Sequence, residues 1–177
     1  MSGTLPLTIG NFQSMSSLIL VGTKIGGKIP STIGALTSLT FLYLAFNSLN
    51  GAIPSDISAL KSLNYLVISH NYFNGIIPSS IGAMTNLVAI DFSDNFFNGT
   101  IPSTMSALTL LEYVYFDNNY LTMGTASTVP TSTFSSFTLS KNISLSNNCL
   151  AFDTTVPYRH ITATHCRPTS KYHLSVV

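Results

Sequence analysis

The chain has 177 residues, of which 45% are hydrophobic and only 7% are charged, and its net charge is +1. This balance excludes a disordered chain, which needs low hydrophobicity and high net charge, and it excludes a nucleic-acid-binding surface, which needs a basic stripe to neutralise phosphates. No run of 18 or more apolar residues occurs, so we expect membrane association only through segments that this sequence does not contain.

A repeat with a period of 24 residues runs from residue 3 to about residue 122. The recurring residues are Gly3, Gly27, Gly51, Gly75 and Gly99; Pro6, Pro30, Pro54, Pro78 and Pro102; and Asn47, Asn71, Asn95 and Asn119, with Thr23 in the first asparagine position. A period of this length is typical of a solenoid, in which each unit forms one coil and buries its apolar side against the neighbouring coils.

The unit 51–74 indicates what each coil contains. Leu66 and Ile68 are separated by one residue, and this alternation predicts a short strand with one buried face. Asn71 follows this strand, where its amide can bond backbone groups of neighbouring coils that a buried turn would otherwise leave unpaired. After Pro54, apolar residues at i+3 spacing predict a short helical turn on the opposite side. We therefore expect a structural asparagine ladder along the stack, with its members at Asn47, Asn71, Asn95 and Asn119.

Residues 47–54, with the sequence Asn-Ser-Leu-Asn-Gly-Ala-Ile-Pro, resemble the Asn-x-Leu-x-Gly-x-Ile-Pro passage of plant-specific leucine-rich repeats, and the passage recurs from Asn71 and from Asn95. The resemblance implies an α/β repeat: a curved leucine-rich-repeat solenoid with a parallel β-sheet on its concave face and short 3-10 or helical turns on its convex face. It also implies a second short strand at this passage. Members of the class include ectodomains of receptor-like kinases and receptor-like proteins, and inhibitors of polygalacturonase. They bind peptides, steroids, other ectodomains or enzymes.

The repeat begins abruptly at the N-terminus. Residues 1–6 carry neither a basic n-region nor an apolar h-region, so they are not a signal peptide. Gly3 enters in the middle of a unit, which predicts an uncovered apolar edge lined by Leu5, Ile9, Leu18 and Leu20. Because an open edge invites aggregation, we expect the sequence to be part of a longer protein that has a signal peptide and a cap.

The register breaks after Asn119. The segment 143–148 has the pattern of another strand and ladder position, but its Asn148 lies 29 residues beyond Asn119 instead of 24. Terminal repeats of solenoids are commonly atypical because they cap the core. We therefore divide the chain into three parts: five 24-residue repeats in 1–122, an irregular terminal repeat in 123–148, and a C-terminal cap and tail in 149–177.

Two cysteines occur, both in the predicted cap. A disulfide between Cys149 and Cys166 would pin the cap and contribute on the order of 3 kcal/mol, and it would require an oxidising compartment. Two buried free thiols are the plain alternative. A zinc set that adds His160 and His165, or a Cys–His nucleophile pair, is disfavoured because adjacent residues point apart and no third orienting group is evident. We expect no metal site, no cofactor and no enzymatic activity.

The strand residues that flank each buried pair are expected to project from the concave face. This prediction includes Ala45 and Ser69 as well as the aromatic and acidic side chains. The candidate ligand-binding residues are Phe41, Tyr43, Tyr65, Val67, Asp91, Tyr113, Tyr115 and Asp117. Tyrosine-rich patches are favoured at binding surfaces, and flanking acids can select a basic or polar partner. The alternative is that these tyrosines occur because aromatic residues favour strands.

Two glycan acceptor sequons occur, at Asn98 (Asn-Gly-Thr) and at Asn142 (Asn-Ile-Ser). The sequons, the neutral polar composition and the cysteine pair all favour an extracellular or cell-surface location.

The favoured function is a non-catalytic recognition module that binds a protein, peptide or glycan ligand on its concave face, as in a receptor-like ectodomain. One alternative is a secreted inhibitor of a hydrolase. Another is ice binding, which requires a regular threonine column. Thr8, Thr32 and Thr104 align at the repeat spacing, but Asp56 and Ser80 interrupt the column.

Overall fold

The computed structural model describes residues 3–122 and 142–148. Within these residues each 24-residue unit forms one coil with two short strands and one 3-10 helix (η). In chain order the elements are η1 (Leu7–Asn11), β1 (Ser17–Ile19), β2 (Gly26–Gly27), η2 (Ser31–Ala35), β3 (Phe41–Tyr43), β4 (Ser48–Gly51), η3 (Ser55–Ala59), β5 (Tyr65–Val67), β6 (Tyr72–Ile76), η4 (Ser79–Ala83), β7 (Ala89–Asp91), β8 (Phe96–Gly99), η5 (Ser103–Ala107), β9 (Tyr113–Tyr115), β10 (Tyr120–Leu121) and β11 (Asn142–Ser144).

The odd-numbered strands form one parallel sheet in the order β1-β3-β5-β7-β9-β11. Leu42 pairs in register with Leu66, and Leu66 pairs with Ile90, so the 24-residue period places one buried apolar side chain above the next. β11 joins β9 with Ile143 opposite Val114, and the last strand therefore keeps the register across the longer interval. The alternation of the sequence sends the flanking residues to the outer face of this sheet.

A second parallel sheet, in the order β10-β8-β6-β4-β2, forms where the resemblance to plant-specific repeats implied a second short strand. The strands β2, β4, β6 and β8 each end at or one residue beyond a repeat glycine. Gly75 and Gly99 adopt φ angles of 78° and 71°, in the left-handed region that favours glycine, and the chain turns there toward the proline. The prolines then precede the 3-10 helices: Pro54 has φ −67° and an extended ψ, and Ile57 donates its backbone N–H to the Pro54 carbonyl oxygen.

The core is a continuous column of leucine and isoleucine side chains that becomes aromatic in the later coils. Phe73, Phe92, Phe97 and Phe116 are fully buried. The rings of Phe73 and Phe97 stack at a centroid distance of 6.1 Å, and Phe116 meets Phe92 edge to face at 5.6 Å. Because no coil can bury these rings alone, the hydrophobic free energy of about 1.5–3 kcal/mol per large side chain is gained only by stacking coils.

The asparagine positions bond successive coils together. Asn71 donates its side-chain amide to the carbonyl oxygens of Leu44, Ile68 and Ser69 at 2.9–3.1 Å, and its Oδ1 accepts the backbone N–H of Leu49 at 3.0 Å. The same arrangement recurs at Asn47, Asn95, Asn119 and Asn148. In the first coil, Thr23 donates its hydroxyl to Asn47 Oδ1 at 3.1 Å.

Two expectations about exposure were wrong. Ala45 and Ser69, which the strand pattern placed on the concave face, are buried because the chain has already begun to turn toward the ladder position there. At the predicted open edge, Leu5, Ile9 and Leu18 are buried and Leu20 is partly buried, because their own coil and the next one pack over these side chains. The predicted disulfide partners, Cys149 and Cys166, lie outside the described residues, as does the whole predicted cap 149–177.

Candidate ligand-binding surface

The outer face of the first sheet carries the side chains predicted to bind a ligand. Phe41, Tyr43, Tyr65 and Val67 lie on β3 and β5, where they flank the buried Leu42 and Leu66, and the register places Phe41 opposite Tyr65 and Tyr43 opposite Val67. The side chains are only partly covered; Phe41 is 37% exposed. The alternation of the strands therefore presents aromatic surface to solvent at the centre of the concave face.

Three of these residues, Phe41, Tyr43 and Tyr65, form an aromatic cluster. Phe41 stacks on Tyr65 with ring centroids 5.2 Å apart, and Tyr43 lies 6.3 Å from Phe41 and 6.4 Å from Tyr65. Burial, and then the neighbouring Tyr65, raises the pKa of the Tyr43 hydroxyl, so Tyr43 stays neutral at physiological pH. The cluster is a rigid apolar platform with hydroxyl groups at its edge, which suits contact with a partly apolar partner.

Tyr113 and Tyr115 lie two coils further along on β9. Tyr115 pairs in register with Asp91 of β7 on one side and with Ser144 of β11 on the other. Burial raises the pKa of Tyr115, and the charges around it, of which Asp91 is the largest contributor, raise it further. This end of the concave face therefore combines phenol hydroxyls with negative charge.

The two acids predicted to contact a ligand also bond within the protein. Asp91 Oδ1 accepts the backbone N–H of Ser93 at 3.0 Å and the Ser93 hydroxyl at 2.6 Å. Asp117 Oδ1 accepts the backbone N–H of Ser146 at 2.8 Å and the Ser144 hydroxyl. One carboxylate oxygen of each acid thus stabilises a turn or joins the last coil to the stack, a role that the sequence pattern did not indicate.

The strand positions of the concave face carry negatively charged side chains and no lysine or arginine. These positions are 17–21, 41–45, 65–69, 89–93 and 113–117, and Asp91 and Asp117 lie among them. On the helical side, Lys61 donates its ammonium group to the Ala83 carbonyl oxygen at 3.0 Å. A ligand on the concave face therefore meets aromatic rings at the centre and negative charge toward β9 and β11.

A column of residues with a left-handed backbone conformation borders this face. It was not predicted from the sequence. Phe46, His70, Asp94 and Asn118 precede the ladder asparagines with φ angles of 53–57°. The Phe46 ring stacks on His70 at 4.1 Å, His70 Nε2 lies 3.5 Å from Asp94 Oδ2, and Asn118 donates to Asp94 Oδ1 at 2.8 Å. The column links four coils at the surface. Its 24-residue spacing is visible in the sequence, but its backbone conformation is not.

A second exposed aromatic group lies on the outer face of the second sheet. We call Tyr72, Phe96 and Tyr120 the lateral aromatic row. The sequence signal for this row is the aromatic residue directly after Asn71, Asn95 and Asn119, one position before the buried Phe73 and Phe97 in the first two cases. Of the two sequon asparagines, Asn98 is exposed on β8 of the same sheet, and Asn142 begins β11.

Two hydroxyl groups in the residue column of the ice-binding alternative are hydrogen-bonded within the protein. Thr104 donates its hydroxyl to the Ser79 carbonyl oxygen at 2.6 Å, and Ser80 donates to the Ser55 carbonyl oxygen at 3.3 Å. The Thr32 hydroxyl is buried and makes no hydrogen bond in the described part of the chain.

Among residues 3–122 and 142–148, no three His, Cys, Asp or Glu side chains gather as a metal site would require. The same residues contain no helix long and apolar enough to cross a bilayer.

Comparison with known proteins agrees with this architecture. Residues 38–60, 62–84 and 86–108 each match the Leucine Rich Repeat family model. No curated protein matches the chain.

Among solved structures, the ectodomain of the plant membrane receptor kinase GASSHO1/SCHENGEN3 from Arabidopsis thaliana, in complex with CASPARIAN STRIP INTEGRITY FACTOR 2, is 31% identical. It superposes with a TM-score of 0.79 over 84% of this chain and 17% of that one. The Arabidopsis receptor kinase HAESA, in complex with the peptide hormone IDA and the co-receptor SERK1, is 34% identical, with a TM-score of 0.67 over 68% of this chain and 20% of that one.

A plant ice-binding protein is 29% identical, with a TM-score of 0.64 over 68% of this chain and 39% of that one. The chain spans about a fifth of the length of the GASSHO1/SCHENGEN3 and HAESA chains. The curved leucine-rich-repeat fold predicted from the sequence is confirmed, as is the similarity to plant receptor ectodomains.

Proposed function

Because the chain is a leucine-rich-repeat protein whose coils are similar to those of plant receptor ectodomains, we propose that it binds a protein or peptide ligand across its concave face. The observation that carries the proposal is the aromatic cluster of Phe41, Tyr43 and Tyr65. Its rings stack on one another outside the core and remain partly exposed. Binding energy at protein interfaces concentrates on such partly exposed aromatic side chains.

The ligand is a segment with apolar side chains for the aromatic cluster and with polar or basic groups toward Asp91 and Tyr115. The absence of lysine and arginine from the concave strand positions supports this polarity. A glycan is a further ligand class compatible with tyrosine hydroxyls and stacked rings. The protein acts by recognition and not by catalysis.

The location is extracellular. The similar solved structures include receptor ectodomains in complex with peptide hormones, and the low charged fraction and the exposed sequon at Asn98 support the same compartment.

The test is a binding screen with an arrayed panel of secreted peptides and proteins, followed by variants on each hit. Phe41→Ser and Tyr65→Ser should each weaken a true concave-face ligand at least tenfold, which corresponds to about 1.4 kcal/mol. Tyr72→Ser, which removes an exposed aromatic ring from the other sheet, is the matched control and should leave affinity unchanged. Hits that bind Phe41→Ser and Tyr65→Ser as tightly as the unaltered protein would contradict the proposal.

Ice binding is the second candidate, since the chain is similar to a plant ice-binding protein. The engaged hydroxyls of Thr104 and Ser80 and the charge of Asp56 disfavour it, because an ice-ordering array needs regular hydroxyls that face water. We expect the purified chain to leave ice recrystallisation unaffected. Inhibition that is lost in Thr104→Val would reverse this ranking.

A further inference from the structure

The second sheet exposes an apolar patch on its outer face. The lateral aromatic row occupies the same position in three consecutive coils, with Tyr72 54%, Phe96 42% and Tyr120 59% exposed. Tyr72 and Phe96 stack at 6.0 Å, as do Phe96 and Tyr120. Ile76, at the end of β6, is 63% exposed on the same sheet. An apolar patch that is contiguous over several coils is unusual for a surface that faces only water.

Asn98 lies within this patch. It is two residues after Phe96 on β8, so both side chains point to the outer face while Phe97 between them is buried. The strand register places Asn98 opposite Tyr120 on one side and opposite Ile76 on the other. The Asn98 side chain is exposed, and its amide makes no hydrogen bond with the described residues. Asn98 therefore has the exposed residues Phe96, Tyr120 and Ile76 as its neighbours on the outer face.

Only one coil combines this position with an acceptor sequence. The column of exposed asparagines consists of Asn50, Asn74 and Asn98, each followed by a glycine. The next residue is Ala52 in the first case and Ile76 in the second, but in the third it is Thr100, which completes a sequon. The sequon therefore occurs in the coil where Phe96 and Tyr120 flank the asparagine.

We infer that Asn98 carries an N-linked glycan whose first sugar packs against Phe96 and Tyr120 and covers the lateral aromatic row. In the modification, the Asn98 amide nitrogen attacks the anomeric carbon of a lipid-linked oligosaccharide diphosphate. The C1–N bond forms as the C1–O bond breaks, and one amide proton leaves with the lipid diphosphate. The sugar then turns its C–H face to the rings and its hydroxyls to water.

This inference rests on the extracellular location in the proposed function, and it does not depend on the concave face. A glycan on the second sheet would shield that side of each coil from macromolecules and leave the concave face open. The two aromatic surfaces would then have different occupants: a covalent sugar on the lateral aromatic row and an exchanging ligand on the aromatic cluster.

The first experiment measures glycan occupancy. The full chain is secreted from eukaryotic cells behind an added signal peptide, in an Asn142→Gln background that leaves Asn98 as the sequon to be tested. We expect one glycan by intact mass, lost in Thr100→Ala, which keeps Asn98 and both rings. Unmodified Asn98 in folded, secreted protein would overturn the inference.

The second experiment measures whether the sugar packs on the rings. The melting temperature is compared before and after enzymatic removal of the glycan. We expect removal to lower it by roughly 2–4 °C in the unaltered protein, and to change it far less in Phe96→Ser. Tyr120→Ser repeats the comparison should Phe96→Ser not fold, and Phe41→Ser, on the other sheet, is the matched control that should keep the full shift. An equal shift in the unaltered protein and both row variants would overturn the packing.

These readouts separate the two proposals. Glycan mass and melting temperature are measured without a ligand, so failure to find a concave-face partner leaves them unchanged. The smaller change in melting temperature that we expect when the glycan is removed from Phe96→Ser likewise does not depend on Phe41 or Tyr65.

Discussion

Phe41 stacks on Tyr65, one coil further along the solenoid, with ring planes 11° apart and centroids 5.2 Å apart. The two rings lie directly opposite each other in the sheet register, outside the leucine column that Leu42 and Leu66 form beneath them. A stacked pair of this kind contributes about 0.5–1.5 kcal/mol beyond its buried area, far less than a buried core ring. The fold therefore depends less on this pair than on the fully buried core rings.

Phe41→Ser should lower the free energy of unfolding by less than removal of a core ring does, because Phe41 is 37% exposed and loses only part of a ring's buried area together with about 0.5–1.5 kcal/mol of stacking. Phe73→Ala, which removes a fully buried ring from the core, should cost about 3–5 kcal/mol. Urea unfolding of both variants checks the contrast. Equal losses would mean that the aromatic cluster is part of the structural core.

Asn71→Ala should destabilise the protein by about 1–3 kcal/mol. The substitution leaves the buried Leu49 N–H without its acceptor, whereas the Leu44 carbonyl oxygen keeps the bond that Asn47 Nδ2 donates. Asn74→Ala is the matched control, because Asn74 is exposed on the second sheet. Chemical denaturation should separate the two variants clearly. If they were equally stable, the ladder bonds would not contribute to the stability of the stack.

Gly82→Ala should cost about 1–3 kcal/mol, because an added Cβ would overlap the Thr104 carbonyl oxygen and lie 2.7 Å from the Thr104 Cβ in the next coil. The equivalent position one coil later is Ser106, which already accommodates a Cβ. Ser106→Ala is therefore the control and should change the midpoint of thermal unfolding little. A Gly82→Ala protein that melts like the unaltered chain would show that the coils can separate at this point without loss.

Tyr115→Phe should make stability less sensitive to alkaline pH. Burial, and then Asp91, raises the pKa of Tyr115 above its ordinary value near 10, so the folded state holds the phenol proton more tightly than the unfolded state. The resulting stability is fully present below the unfolded pKa and is lost as the pH rises through the folded pKa. Urea midpoints at about pH 8 and about pH 11 should therefore differ less in Tyr115→Phe than in the unaltered protein. Tyr120→Phe, at an exposed position, serves as the control, and an equal effect of the two substitutions would refute the assignment.

The repeat pattern was sufficient to predict the coil, the parallel strands and the ladder positions. Leu66, Ile68 and Asn71 recur with their equivalents every 24 residues, and stacking identical units leaves one arrangement in which every apolar edge is covered. The outward direction of Phe41 and Tyr65 follows from strand alternation alone. These features follow from the sequence of one unit and its exact repetition.

Other features depend on how the coils pack on one another. Ala45 and Ser69 are buried because each strand ends two residues earlier than its alternation suggested. Asp117 bonds Ser146 of a coil that follows an irregular interval. The left-handed backbone at Phe46 is likewise invisible in the sequence. Periodicity assigns residues to a column. Whether that column faces the core, a neighbouring carbonyl group or water depends on the rotation of each coil. Packing against the coils on both sides determines that rotation.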